Sequence, residues 1–155
     1  MPASCLDYAD GRRLYRDFDI ENATIRLRNA VTGFAPLASP LILWARMWLA
    51  GTELARGSFE KALAEVQSVR QYSGLDRYPD LIVRCDWLSG VVLVRTGRFA
   101  QGLEAYRDAV PHLQDPHEDL TLGGVDSLIS EVLDYLGQDG EAWHYRYLAL
   151  DRLRH

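Results

Sequence analysis

One heptapeptide recurs along this chain and limits what the chain can fold into. Gly57-Ser58-Phe59-Glu60-Lys61-Ala62-Leu63 returns forty residues on as Gly97-Arg98-Phe99-Ala100-Gln101-Gly102-Leu103. A fainter copy follows at Gly137-Gln138-Asp139-Gly140-Glu141-Ala142-Trp143, and Ile20-Glu21-Asn22-Ala23 precedes them at a similar distance upstream. A fixed period of 20–50 residues is the mark of stacked repeats, in which each unit buries its apolar face against the next. The chain therefore reads as a helical repeat array.

The periodicity fills in the elements. Residues 4–16 form a first helix despite Gly11, whose cost of about 1 kcal/mol requires a packing reason. Over 20–32, Ile20, Ala23, Leu27, Ala30 and Val31 recur three and four apart and line one face. Asp19 is placed to cap that helix and Gly33 to end it. Ser39-Pro40 starts the next helix, which runs to about Arg56 and stops at Gly57. Its partner, 58–73, ends at Gly74. Residues 80–95 and 98–110 make a third pair, with Pro111 closing the second helix because it removes a backbone donor. Residues 120–136 and 139–153 make a fourth, with Asp139 as N-cap. No alternation of period two is sustained, so no strand is expected. The sum is an all-α chain of eight helices in four antiparallel pairs.

Composition agrees with a packed domain. The 155 residues are 48% hydrophobic and 25% charged, enough for one domain with a real core and too apolar for disorder. A net charge of −5 argues against nucleic acid held through phosphate contacts. The longest uncharged apolar stretches, 34–45 and 88–94, are too short to span a bilayer. The first seventeen residues carry charges and no signal-like apolar run. The expectation is a cytoplasmic protein with neither nucleic acid nor membrane as partner. Cys5 and Cys85 stand eighty residues apart without metal or redox spacing, and Cys85 falls in an apolar helix pattern as a buried thiol.

Small residues sit at matched places in the four pairs. In the first helices they are Gly11, Ala50, Gly90 and Ser130; in the second helices Ala23, Ala62, Gly102 and Ala142. A later site reads Ala30, Val69, Ala109 and Ala149. A glycine closes the first helix at 57, 97 and 137, where the first pair has Phe18. A bulky residue opens the second helix at Ile20, Phe59 and Phe99, where the last pair has Asp139. This pattern resembles the tetratricopeptide repeat (TPR) family, in four copies covering about residues 5–153. The spacings of 39, 40 and 40 exceed the usual 34. They resemble the extended repeats of bacterial signalling and regulatory members. The resemblance implies a right-handed α-α superhelix, a solenoid of four antiparallel helix hairpins. It implies a single domain over 1–155, with repeats at about 4–33, 39–74, 79–114 and 119–153.

The resemblance also implies a concave groove lined by the first helices, which receives a peptide or partner helix. Carried onto this chain, the lining is Tyr8, Arg12, Tyr15 and Arg16; Trp44, Met47, Trp48 and Gly51; Arg84, Trp87, Val91 and Arg95; and Ser127, Glu131 and Tyr135. Tryptophan, tyrosine and arginine are the side chains that dominate interfaces. The tryptophans suit a core stripe as well, and the arginines suit ion pairs with Asp10, Asp80 and Asp86. The first helices carry no lysine or asparagine, against the carboxylate clamp of the family's chaperone-binding members.

Enzymatic signals are missing from the sequence. His112, Asp115, His117, Glu118 and Asp119 gather ligand types at a spacing that matches no metal motif and read as a solvated loop. No nucleophile motif or phosphate loop occurs, so neither a catalytic residue, a metal nor a cofactor is expected. The expected role is a scaffold or protein-interaction module. A second possibility is a homodimer, because the last helix shows Trp143, Tyr145, Tyr147 and Leu148 where a terminal repeat needs a polar outer face. A third is a regulatory domain that senses a peptide or small molecule.

Overall fold

A computed structural model describes residues 2–113 and 122–153. Within them lie eight α-helices and no strand. They are α1 (Ala3–Arg16), α2 (Ile20–Phe34), α3 (Leu41–Ala55), α4 (Phe59–Arg70), α5 (Pro79–Arg95), α6 (Phe99–Ala109), α7 (Leu122–Tyr135) and α8 (Asp139–Leu153). Short 3₁₀ turns follow α2, α4 and α6. The helices pack as the hairpins α1–α2, α3–α4, α5–α6 and α7–α8. The chain forms two compact units, Met1–Arg77 and Tyr78–His155, with two hairpins in each. The fold is all-α and TPR-like.

The same backbone device closes all four first helices. In the turns of the second, third and fourth hairpins, Gly57, Gly97 and Gly137 take φ of +73°, +78° and +70°. The next residue's amide reaches back to the carbonyl five positions earlier: Ser58 to Glu53, Arg98 to Leu93 and Gln138 to Leu133, at 2.8–2.9 Å. The glycine amide bonds the carbonyl three before it. This is the Schellman arrangement, which satisfies carbonyls that the helix end leaves open. Phe18 does the same in the first hairpin without being glycine. Its φ is +61°, and the Asp19 amide donates to Leu14 at 2.9 Å.

Two glycines expected to end helices do something else. Gly33 lies inside α2, which continues to Phe34. A Cβ at position 33 would stand 2.8 Å from the Ser4 Cβ, so the glycine lets α1 approach α2. The left-handed residue after that helix is Ala38. α4 stops at Arg70, four residues before Gly74. Asp139 begins α8 rather than capping it, and the Gln138 carbonyl accepts the first intrahelical bond from Ala142. The Asp19 cap forms as the sequence predicts, accepting from the Asn22 amide. Pro40, rather than Ser39, stands at the N-cap of α3, which begins at Leu41, and the Ser39 Oγ accepts from the Leu41 amide.

Small residues stand at the hairpin contacts. Ala23, Ala50, Ala62 and Ala142 are wholly buried. A Cβ at Gly11 would lie 2.6 Å from the Leu27 Cγ, which is the packing reason for a glycine in mid-helix. At Gly102 it would lie 2.6 Å from a Val94 methyl and 3.2 Å from the Gly90 carbonyl oxygen. Small side chains let helix axes close until ridges seat in grooves. The first unit buries Leu27, Phe34, Leu43, Leu49, Val66 and Val69; Cys85 is buried in the second. A cluster of Val83, Leu103, Tyr106, Val125, Ile129, Val132 and Leu133 fills the second unit.

Arginines tie neighbouring helices together. Arg26 pairs with Asp7 across α1–α2 at 2.9 Å, and Arg46 with Glu65 across α3–α4 at 2.7 Å. The buried carboxylate of Glu53 receives Arg28 from α2 and Arg56 at 3.4 Å, while Arg56 also meets Glu21. In the second unit Arg152 meets the buried Asp126, and Arg146 meets Asp134.

Candidate functional site

Some of the residues expected to line a groove gather in two places, one in each unit. In the first unit, Tyr15 and Trp48 meet edge to face with ring centres 5.5 Å apart. The Arg12 guanidinium lies 5.0 Å from the Trp48 ring centre and 5.6 Å from that of Tyr8. Tyr8 in turn meets the buried Phe34. The Tyr15 ring lies where a Cβ on Gly51 would touch it, with the hydroxyl 3.5 Å away. Burial pushes the Tyr15 phenol above its ordinary value. α1 and α3 thus hold Tyr8, Arg12, Tyr15 and Trp48 as one stack, with a cation over aromatic faces. Met47 is only 4% exposed, Trp44 is half-buried and Arg16 is exposed.

The second unit has a cleft of about 400 Å³ between α5, α6 and α7. Its walls are Val91, Val94 and Arg95 from α5, and Leu128, Glu131 and Tyr135 from α7, with Phe99 and Tyr106 from α6 between them. Phe99 stacks on Tyr135 at 4.9 Å with the planes 16° apart. The Tyr135 hydroxyl reaches Glu131 at 3.5 Å. Tyr106 is 2% exposed, and its phenol is pushed well up, first by burial and then by Glu131, with Arg95 opposing. The cleft therefore joins an apolar floor to one cation and one anion. Volume and lining are those of a site that takes an apolar anchor and orients it with a few polar groups.

Four expected lining residues, Val91, Arg95, Glu131 and Tyr135, meet in this cleft. Ser127 is exposed on α7. Trp87 packs, half-buried, against the core cluster of the second unit, and Arg84 is half-buried on the same helix. Sequence reasoning missed Val94 and Leu128, which share first helices with residues it named, and it missed Phe99 and Tyr106 because it drew the lining from first helices only. A signal was present: position 90 is glycine, and room on a first helix implies a large side chain facing it from the second.

Among the described residues no cluster of histidine, cysteine and acidic side chains is arranged to hold a metal ion. Of the polar loop noted in the sequence, residues 115–119 lie outside the described residues, and His112 is exposed. No described helix is long and apolar enough to cross a membrane.

Comparison with known proteins identifies the fold. A crystal structure of MamA superposes with a TM-score of 0.69 at 15% identity, covering 97% of this chain and 78% of that one. A second, MamA AMB-1 in P212121, gives 0.61 at 17% identity over 96% and 72%. MamA is a TPR-like helical repeat protein. No family model matches the chain, and no curated protein matches it.

Proposed function

We propose that this chain is a non-enzymatic protein-interaction module that binds a peptide segment or partner helix in the cleft of its second unit. The convergence of Val91, Phe99, Leu128 and Tyr135 around Arg95 and Glu131 carries the reading. An apolar side chain of the partner fills the floor. Arg95 donates to a carbonyl or carboxylate, and Glu131 accepts a backbone or side-chain N–H. Aromatic and arginine anchors around a desolvated pocket are the usual sources of binding energy in such modules. The likeness to MamA supports a scaffold of this kind through the fold. On this reading the protein works in the cytoplasm, and the four hairpins act as one TPR-like domain.

The test is a peptide-display selection on the intact chain, followed by titration of the selected peptides against variants. Tyr135→Ala and Val91→Arg should each weaken binding at least about tenfold, the loss that follows from removing one interface anchor. Equal binding to wild type and both variants would place the site elsewhere.

A further inference from the structure

The outer face of α8 leaves large apolar side chains in solvent. Trp143, Tyr147 and Leu150 are 55%, 67% and 53% exposed, and their spacing of four and three residues draws one apolar seam along the helix. The sequence pattern named Tyr145 and Leu148 in this surface. Both are half-buried, Tyr145 against the core cluster, and Leu150 takes their place. α8 uses its other side, with Ala142 and Ala149 buried, to close the hairpin with α7. A seam of period 3.5 is what a helix presents to another helix rather than to an extended strand.

The seam is also pre-organised. Arg146 is fixed to Asp134 of α7 and lies 4.8 Å from the Trp143 ring centre. Trp143 and Tyr147 rings are 6.2 Å apart. Beside them runs a groove of about 480 Å³ lined by His144, Tyr147, Leu148, Leu150 and Asp151. Tyr147, the most exposed member of the seam, borders that groove.

We propose that this face pairs with the same face of a second copy, the two α8 helices running antiparallel about a two-fold axis at Tyr147–Leu148. The polar flanks select this occupant. His144 and Asp151 lie two turns apart, one at each end of the groove. Antiparallel pairing about that axis sets each His144 imidazole N–H against the partner's Asp151 carboxylate, and symmetry makes the contact twice. Each Tyr147 enters the partner's groove against its Leu148. A parallel pairing would oppose like residues and lose both contacts. This surface is separate from the α5–α6–α7 cleft, so a dimer leaves the peptide site of each copy as it is.

The test is sedimentation equilibrium on the intact chain, up to about 200 µM, well above a micromolar Kd. Wild type should fit a monomer–dimer equilibrium. Tyr147→Glu should be monomeric throughout with unchanged helical circular dichroism. His144→Asp should weaken the dimer about tenfold or more, since it places two like-charged pairs across the axis. The double variant His144→Asp/Asp151→Arg should recover it. A wild type that stays monomeric overturns the proposal, as does a dimer that survives Tyr147→Glu. Failure of the double variant to recover association overturns the antiparallel arrangement.

Discussion

The ring of Tyr106 lies against the backbone of Gly90 so closely that a Cβ there would stand 2.5 Å from Cε1 and 2.6 Å from Cδ1. Two helices of the second unit meet at this point, and the floor of the cleft is made by the same contact. Gly90→Ala gains helix propensity of about 1 kcal/mol. It also forces a buried ring, 2% exposed, out of its position. Overpacking of this kind costs about 1–3 kcal/mol and outweighs the gain in propensity where a buried ring must shift. Chemical denaturation should show a net loss of up to about 2 kcal/mol. Gly90→Ala/Tyr106→Leu should recover part of it, giving a coupling between the two sites. Additive losses would mean that the ring is not what the new methyl meets.

Phe18 is the reverse case. It adopts φ +61° in a turn whose three counterparts use glycine, and its side chain is 88% exposed. A non-glycine residue there carries about 1–2 kcal/mol of strain, and an exposed ring returns little of it. Phe18→Gly should raise the unfolding free energy by about 1 kcal/mol after allowance for the greater freedom of glycine in the unfolded chain. Gly57→Ala, into open space but at φ +73°, should lower it by a similar amount. Both follow from thermal or urea unfolding of the single variants. A destabilised Phe18→Gly would show that the ring makes contacts worth more than its strain.

Legibility in the sequence followed the kind of interaction. Helix existence, hairpin pairing and the small residues at 11, 23, 50, 62, 90, 102, 130 and 142 were all readable, because each depends on local period or on the size of one side chain. The turns at 57, 97 and 137 were readable for the same reason. Gly74 lies four residues past the end of α4, and Gly33 reads wrongly because a glycine carries two meanings, a positive φ or a close approach. Only the position of Ser4 against Gly33 decides between them. The cleft was half legible: Val91, Arg95, Glu131 and Tyr135 were named and Val94 and Leu128 were not, while Phe99 and Tyr106 depend on how α6 seats between α5 and α7. The Glu53 network was not legible at all, since nothing local marks a glutamate on an apolar helix as the partner of Arg28 and Arg56.

Glu53 gives a further prediction. Its side chain is 3% exposed, and it is held by Arg28 and Arg56, which are themselves 50% and 31% exposed. Glu53→Ala removes charge-assisted hydrogen bonds and leaves a void, for a loss of about 2–4 kcal/mol. Glu53→Leu fills the void, and both arginines can turn to water, so it should lose less than the alanine variant. Guanidinium unfolding of the pair decides the point. The opposite order would mean that the ion pairs, rather than volume and desolvation, set the stability of the α2–α3 contact.

Asp126 should make stability fall as pH rises. It is 1% exposed on α7, and burial raises its carboxyl above the usual value, with Arg152 and then His144 acting in the opposing direction. A group whose pKa is raised on folding binds more protons in the native state than in the unfolded one. Its contribution is fully present below the unfolded carboxylate range and is lost as pH climbs through the raised folded value. Asp126→Asn lacks that titration. Wild-type stability minus variant stability should therefore decline from about pH 3.5 upward and level off once the folded carboxyl is ionised. Urea unfolding at a series of pH values measures the difference and cancels the other carboxylates common to both proteins. A difference that rises with pH would show that Arg152, at 2.5 Å, outweighs the cost of burying the charge.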